Sequence, residues 1–290
     1  MILDDAARAR LLDRFGPSVE PWCDELPALV ERLAKRWNLT VVDAKPGNTG
    51  RTLICTSPDG PRVLKVTPDR EVAEHEAAGL RAWAGCSRVV QVIDTDLAEG
   101  AVLLEGLVPG TQLTGHDVPW AEIGELITQL HGVPARGNFP PLAERIDFIY
   151  SLSERRRRES AADAVLSASL LSLARDRAMT LATGGPVVLL HGDLHPANVL
   201  DAGPGRGAVA IDPRPCFGDP AMDVVDWVFL PMSAGGSIDD GIAALRPYLP
   251  ELDVERVREW CVALAPLLAL GPLRRGEASP FTDALLEMGR

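Results

Sequence analysis

Apolar positions along the chain change their spacing several times, and each change marks an element. Asp4–Phe15, ended by Gly16-Pro17, and Leu26–Trp37, with Leu26, Leu29, Val30, Leu33 and Trp37 on one face, carry the spacing of amphipathic helices. Three strand-like runs follow, Leu39–Ala44, Arg51–Ser57 and Arg62–Thr67, the last two joined by the turn signal Pro58-Asp59-Gly60. The helical period returns from Pro68-Asp69 to Trp83, and Val89–Ile93 and Ala101–Glu105 read as strands again. Together these runs predict a five-stranded antiparallel sheet.

Beyond Glu105 the pattern is mostly helical: Trp120–His131, Leu142–Ser153, Ala164–Leu181, Pro220–Pro231, Ile238–Leu249, Val254–Leu270 and Phe281–Met288. Two short apolar runs bounded by Gly and Pro, Val187–Leu190 and Ala208–Ile211, interrupt it and read as buried strands. The predicted class is α+β in two lobes, 1–106 carrying the sheet and 107–290 largely helical. At 290 residues and 46% hydrophobic content, the chain can bury cores of this size.

The two short strands deliver polar side chains to one place. His191-Gly-Asp193-Leu-His-Pro-Ala-Asn198 has the H-x-D-x-x-x-x-N spacing of a kinase catalytic loop, in which Asp takes the proton of the attacking hydroxyl and Asn binds Mg²⁺. Asp212, after the second strand, supplies a second metal ligand. Phosphoryl transfer needs this division of labour, because metal must neutralise the ATP phosphates while a separate carboxylate positions the nucleophile.

HGDLHPANVL followed by IDPRPCFGDPAMD resembles the signature of the aminoglycoside phosphotransferase family, and IDPRP resembles its streptomycin 6-phosphotransferase and hydroxyurea phosphotransferase branch. The resemblance implies a bilobal protein-kinase-like fold, ATP and Mg²⁺ as cofactors, and O-phosphorylation of a small antibiotic such as streptomycin, for resistance or self-protection. It gives His191, Asp219 and Asp223 supporting roles around the catalytic loop. Two features separate the chain from protein kinases and argue against a protein substrate: Pro213 follows Asp212, where an Asp-Phe-Gly would continue, and Gly192 replaces the arginine of the loop.

Nucleotide contacts are expected in the first lobe. Val63-Leu64-Lys65-Val66 matches the strand lysine that holds the α- and β-phosphates, and only three of the 29 basic residues are Lys. On the next helix Val72, Glu76, Gly79, Leu80 and Trp83 share a face. An acid on an apolar stripe needs a buried cation or a hydrogen bond, and Glu76 is the expected partner of Lys65, with Glu71 as the alternative. Pro46-Gly47-Asn48-Thr49-Gly50 reads alone as a hairpin turn and, with the downstream motif, as a loop covering ATP. The Glu105 carbonyl and Leu107 amide of the Gly106–Gly110 hinge are candidates for adenine, although the stretch also suits a plain linker. His131 and the Asp223/Asp226 pair are assigned to structure, and Arg155–Arg158 to a solvated helical face.

Charge changes the picture only modestly. A net charge of −12 argues against a phosphate-neutralising nucleic-acid surface and suits a cationic small acceptor. From Leu107 onward, 24 acidic residues face 16 basic ones. Cys23, Cys55, Cys86, Cys216 and Cys261 are scattered without a C-x-x-C pair, which predicts a reduced cytoplasmic setting. The N-terminus has no leader character, and the apolar Cys261–Leu270 is too short to span a membrane. Nothing in the pattern speaks to oligomeric state.

The alternative within this chemistry is a kinase of another small hydroxylated metabolite or antibiotic, and two other classes remain open at this point. His191, Asp193 and His195 could form the ligand string of a metallohydrolase. A non-catalytic ATP-binding module is the other, although Lys65, Asp193, Asn198 and Asp212 are all present.

Overall fold

Side chains of a strand alternate between two faces, and the main sheet is sorted on that principle. The computed structural model describes residues 2–45, 47, 49–114 and 118–290. Two compact units divide it, Met1–Thr111 with Leu200–Asp212, and Gln112–Val199 with Pro213–Arg290. The expected division at 106/107 therefore moves to 111/112. The segment expected in the second lobe, Leu200–Asp212, belongs with the first.

In the first unit, helices α1 (Asp5–Phe15) and α2 (Glu20–Arg36) precede strands β1 (Thr40–Lys45), β2 (Arg51–Ser57) and β3 (Gly60–Val66). Helix α3 (Arg70–Ala82) then leads to β4 (Val92–Asp96) and β5 (Ala101–Glu105). The sheet is antiparallel in the order β1-β2-β3-β5-β4. Leu26, Leu29, Val30 and Leu33 of α2 bury Leu53, Cys55, Leu64, Val66, Ala101 and Leu103 on one face. Alternation turns Lys65, between Leu64 and Val66, to the other face.

Several elements differ from the sequence expectation for identifiable reasons. Helix α2 starts at Glu20 rather than Leu26, because Pro21 sits in the first turn, where its missing N–H costs nothing. Strand β4 begins at Val92 rather than Val89. The preceding residues pair elsewhere: Val90 N–H donates to Ala210 O at 3.1 Å and Ala210 N–H to Arg88 O at 2.9 Å. This pairing attaches the late segment to the first unit.

The second unit holds β6 (Thr111–Gln112, at the boundary), α4 (Trp120–His131), α5 (Leu142–Arg158), α6 (Ala168–Ala182) and β7 (Val188–Leu190). Past the short β8 (Val199–Asp201) and β9 (Ala208–Ala210) come β10 (Cys216–Gly218), α7 (Val225–Val228), α8 (Leu230–Ser233), α9 (Ile238–Leu245), α10 (Val254–Arg274) and α11 (Pro280–Gly289). Tyr150, Trp227 and Trp260 are fully buried here. The Arg155–Arg158 run is the last turn of α5, where cations suit the carbonyl end of the helix. It is not wholly solvated: Arg157 is buried and paired with Glu154 and Asp163. The expected single helix over Pro220–Pro231 is a 3₁₀ turn, Pro220–Val224, followed by the short α7 and α8. All five cysteines are free thiols, and no helix among the described residues is long and apolar enough to cross a membrane.

Candidate active site

Lys65 organises the polar face of the first unit. Register opposes it to Thr52 on β2 and Val102 on β5. Its Nζ lies 2.5 Å from Glu76 Oε1 and also bonds Asp212 Oδ1. Glu76 comes from the buried side of α3, whose start is fixed by Asp69 accepting the N–H groups of Glu71 and Val72. Glu71, the alternative partner, is exposed in the first turn of α3. Burial alone would lower the Lys65 pKa, but the Asp212 and Glu76 carboxylates outweigh it and hold the ammonium above the ordinary lysine value. Asp212 itself has φ +57°, a left-handed conformation that a non-glycine residue adopts only when its surroundings enforce it.

The turn between β1 and β2 is fitted to the backbone beneath it. A Cβ at Gly50 would stand 2.3 Å from Val66 O, so no side chain fits there. Thr67 Oγ1 donates to Thr49 O at 2.5 Å and accepts the Asp69 N–H at 3.1 Å, tying the turn to the start of α3. Gly47 is described, while Asn48 lies outside the described residues. At the end of β5, the Glu105 carboxylate is committed to Arg206, through bonds of 2.7 and 2.8 Å, and to Gln91 N–H at 2.8 Å. The Glu105 side chain is thus engaged within the first unit.

In the second unit, β7 is largely buried and pairs antiparallel with β10, and this ribbon leads into the 191–198 loop. Asp223 is 2% exposed and accepts the backbone N–H groups of His191 at 2.8 Å and Gly192 at 2.9 Å, and it contacts His131 Nε2 at 3.1 Å. Burial alone would raise its pKa; the bond to His131, the nearby histidines and the Gly192 N–H outweigh this and hold it below the ordinary carboxylate range. Gly192 has φ +74°, and a Cβ there would lie 2.1 Å from Arg214 O. Asp219 is also buried. It caps the Pro220 turn through Ala221 N–H, accepts Trp260 Nε1–H at 2.6 Å and pairs with Arg256.

The loop presents Asp193 with its side chain 37% exposed. Arg145 Nη2 donates to Asp193 Oδ1 at 2.8 Å, while Asn198 Nδ2 donates to the Asp193 carbonyl at 2.9 Å and to Oδ2 at 3.3 Å. That leaves the Asn198 carbonyl oxygen with no donor among the described residues. An amide oxygen of this kind is a hard donor, as is the Asp212 carboxylate of the first unit, and hard oxygen donors are what Mg²⁺ takes beside phosphate oxygens and water. The metallohydrolase ligand string does not form: His191 is buried, at 1% exposure, while the Asp193 side chain is 37% exposed. Among the described residues no three His, Cys, Asp or Glu side chains gather as metal ligands.

Arg145 and Thr67 were absent from the sequence expectation. Arg145 did leave a signal, since it borders the buried α5 stripe of Leu142, Ile146 and Tyr150, as Glu76 lies on that of α3.

The sequence pattern of the aminoglycoside/hydroxyurea antibiotic resistance kinases matches residues 36–274. Streptomycin 6-kinase of Streptomyces glaucescens is 34% identical over 226 residues, covering 72% of this chain and 69% of that protein. Hydroxyurea phosphotransferase of Kitasatospora aureofaciens is 30% identical over 278 residues, covering 91% and 78%. Among solved structures, a thermostable mutant of aminoglycoside phosphotransferase APH(4)-Ia in ternary complex with AMP-PNP and hygromycin B superposes with a TM-score of 0.62 at 21% identity, covering 89% of this chain and 98% of that one. The fold is therefore the bilobal kinase-like one, and the chain belongs to the aminoglycoside/hydroxyurea antibiotic resistance kinase family.

Proposed function

We propose that the protein is an ATP-dependent O-phosphotransferase that phosphorylates a hydroxyl of a small cationic antibiotic, with streptomycin as the first acceptor to test. The observation that carries this reading is the fixed and still accessible Asp193 carboxylate on a loop of catalytic spacing. Identity to streptomycin 6-kinase supports the choice of acceptor, and the acidity of the second lobe suits its guanidinium groups.

Asp193 orients the acceptor hydroxyl and would accept its proton as the hydroxyl oxygen bonds the γ-phosphorus and the bond from that phosphorus to the β,γ-bridging oxygen breaks, with ADP as the leaving group. Lys65, held by Glu76, binds the α- and β-phosphates, and the Gly47–Gly50 turn, including Asn48 and Thr49, covers them. Asn198 and Asp212 hold Mg²⁺. The Glu105 carbonyl and Leu107 amide bind adenine through the backbone. His191, Asp219 and Asp223 brace the catalytic loop. Bound Mg²⁺–ATP supplies the phosphoryl group and neutralises the charge that develops during transfer. ATP and five reduced cysteines both suit the cytoplasm.

The test is ADP release by purified protein with Mg²⁺ and ATP against streptomycin, other aminoglycosides, hydroxyurea and hydroxylated metabolites, beside an Asp193→Ala control. Streptomycin-dependent release that the control abolishes is the expected result. Release with a different acceptor keeps the chemistry and reassigns the substrate. ATP binding without acceptor-dependent release across the panel would overturn the reading in favour of a binding module.

A further inference from the structure

The catalytic loop cannot carry an arginine of its own at position 192. Gly192 is left-handed at φ +74°, and a Cβ there would meet Arg214 O at 2.1 Å and Cys216 Sγ at 3.3 Å. A guanidinium nevertheless reaches the loop from elsewhere in the same unit. Arg145 Nε donates to the Gly192 carbonyl while Nη2 donates to Asp193 Oδ1 at 2.8 Å.

The start of α5 is built to put it there. Phe217 N–H donates to Pro140 O at 2.9 Å, and Pro141 bridges Phe217 in parallel. Gly218 has no side chain, and a Cβ there would lie 2.4 Å from Leu142 Cβ. The first residues of α5 are thus attached to β10, which pairs with β7, the strand that leads into the loop. Arg145 follows Leu142 by about one helical turn, on the same side of the helix. Its side chain is 16% exposed, so little freedom is left to it.

We infer that Arg145 is the positioning residue of Asp193, returning from helix α5 the guanidinium that Gly192 excludes from the catalytic loop. This rests on the phosphotransferase reading for its consequence, though not for its geometry. A planar guanidinium holds two acceptors in fixed relation, here the loop carbonyl and the carboxylate that follows it. With Asn198 on Oδ2 at 3.3 Å, the carboxylate is held at both oxygens, and its exposed side remains for the acceptor hydroxyl. Reaction rates fall about 100-fold for a misplacement of roughly 1 Å in the reacting groups, so loosening this carboxylate should act on turnover rather than on nucleotide binding.

The test compares Arg145→Gln and Arg145→Lys with the parent enzyme in steady-state transfer, and reads the guanidinium separately by ¹⁵N–¹H NMR without acceptor. Arg145→Gln should lower kcat about 10- to 100-fold, with KM for ATP within about threefold of parent. Arg145→Lys should fall between, because a single ammonium cannot reproduce the fork. In the parent, hindered rotation should resolve the Arg145 Nη signals, and Asp193→Ala should abolish that. A kcat within about threefold of parent in Arg145→Gln overturns the inference, as do Arg145 signals indifferent to Asp193→Ala. A parallel rise of ATP KM with the loss of kcat also overturns it, since that marks a general structural role. Should Arg145→Gln not fold, Arg145→Lys and the NMR comparison decide the matter. Transfer that survives Asp193→Ala instead overturns the phosphotransferase reading, whatever the guanidinium reports.

Discussion

Asp223 Oδ1 accepts the backbone N–H of Gly192 at 2.9 Å, so a buried carboxylate three residues short of Asp226 sets the path of the 191–198 loop. Its second oxygen receives the His191 N–H and contacts His131, so both oxygens are engaged. Asn at 223 would supply one oxygen and turn an NH₂ toward these donors. Asp223→Asn should therefore cost about 2–4 kcal/mol in urea denaturation and lower kcat more than it raises KM for ATP. The sign with pH follows from the depressed pKa: the stability that Asp223 contributes is present above the ordinary carboxylate value and is lost as pH falls through the lower native value. The variant should lose that part of the acid sensitivity.

Gly192→Ala tests the same loop from the backbone side. A methyl group at φ +74° must meet Arg214 O, which is held by the Arg214 N–H bond to His191 O at 2.8 Å. Left-handed strain of this kind costs about 1–3 kcal/mol, with the clash in addition. Thermal melting should show a folded but weakened protein, and turnover should fall about 100-fold as Asp193 moves with its neighbour.

In the first unit, Glu76→Gln separates binding from catalysis. Lys65 keeps its bond to Asp212 in this variant, so its charge stays paired and stability should change by about 1 kcal/mol or less. The ammonium should swing toward Asp212 and away from the position proposed for phosphate binding, raising KM for ATP about tenfold with the acceptor KM within about twofold. Because Asp212 and Glu76 raise the Lys65 pKa, the stability it contributes is complete below the ordinary lysine value and is lost as pH climbs through the higher native one. Alkaline denaturation of the two proteins should show that dependence reduced in Glu76→Gln.

Legibility in the sequence followed the range of the interaction that had to be read. Strand alternation and helical stripes found the five strands and placed Glu76 where a cation or a hydrogen bond had to satisfy it, because both patterns are written in neighbouring residues. Boundaries failed where a segment's partner lay far along the chain: Val89 and Val90 are apolar enough for β4, yet the Val90 N–H turns to Ala210. The same distance hid the site's supports. Arg145 and Asp193 are 48 positions apart, and their meeting depends on the absence of a side chain at Gly218, which no local period records. The commitment of the Glu105 carboxylate to Arg206 was invisible for the same reason.

Asp226 gives a prediction of opposite sign to Asp223. It stands one turn further on, partly buried, and burial pushes its carboxyl up to about 6; the negative charges of Asp193 and Asp223 push the same way, while His195 and Arg145 oppose them. A raised acid is one whose ionised form the native state disfavours. Between the ordinary carboxylate value and about 6, the native protein binds the extra proton, so this group's contribution to stability falls as pH rises through that window and stays unfavourable above it. Asp226→Asn removes the ionisation and should gain about 1 kcal/mol at pH 8, a figure discounted for the exposed part of the side chain. At a pH below both values the two proteins should unfold at nearly the same urea concentration, since Asp226 is then neutral in native and unfolded chains alike. A gain that persists undiminished at that acid pH would place the effect in packing and remove the charge argument.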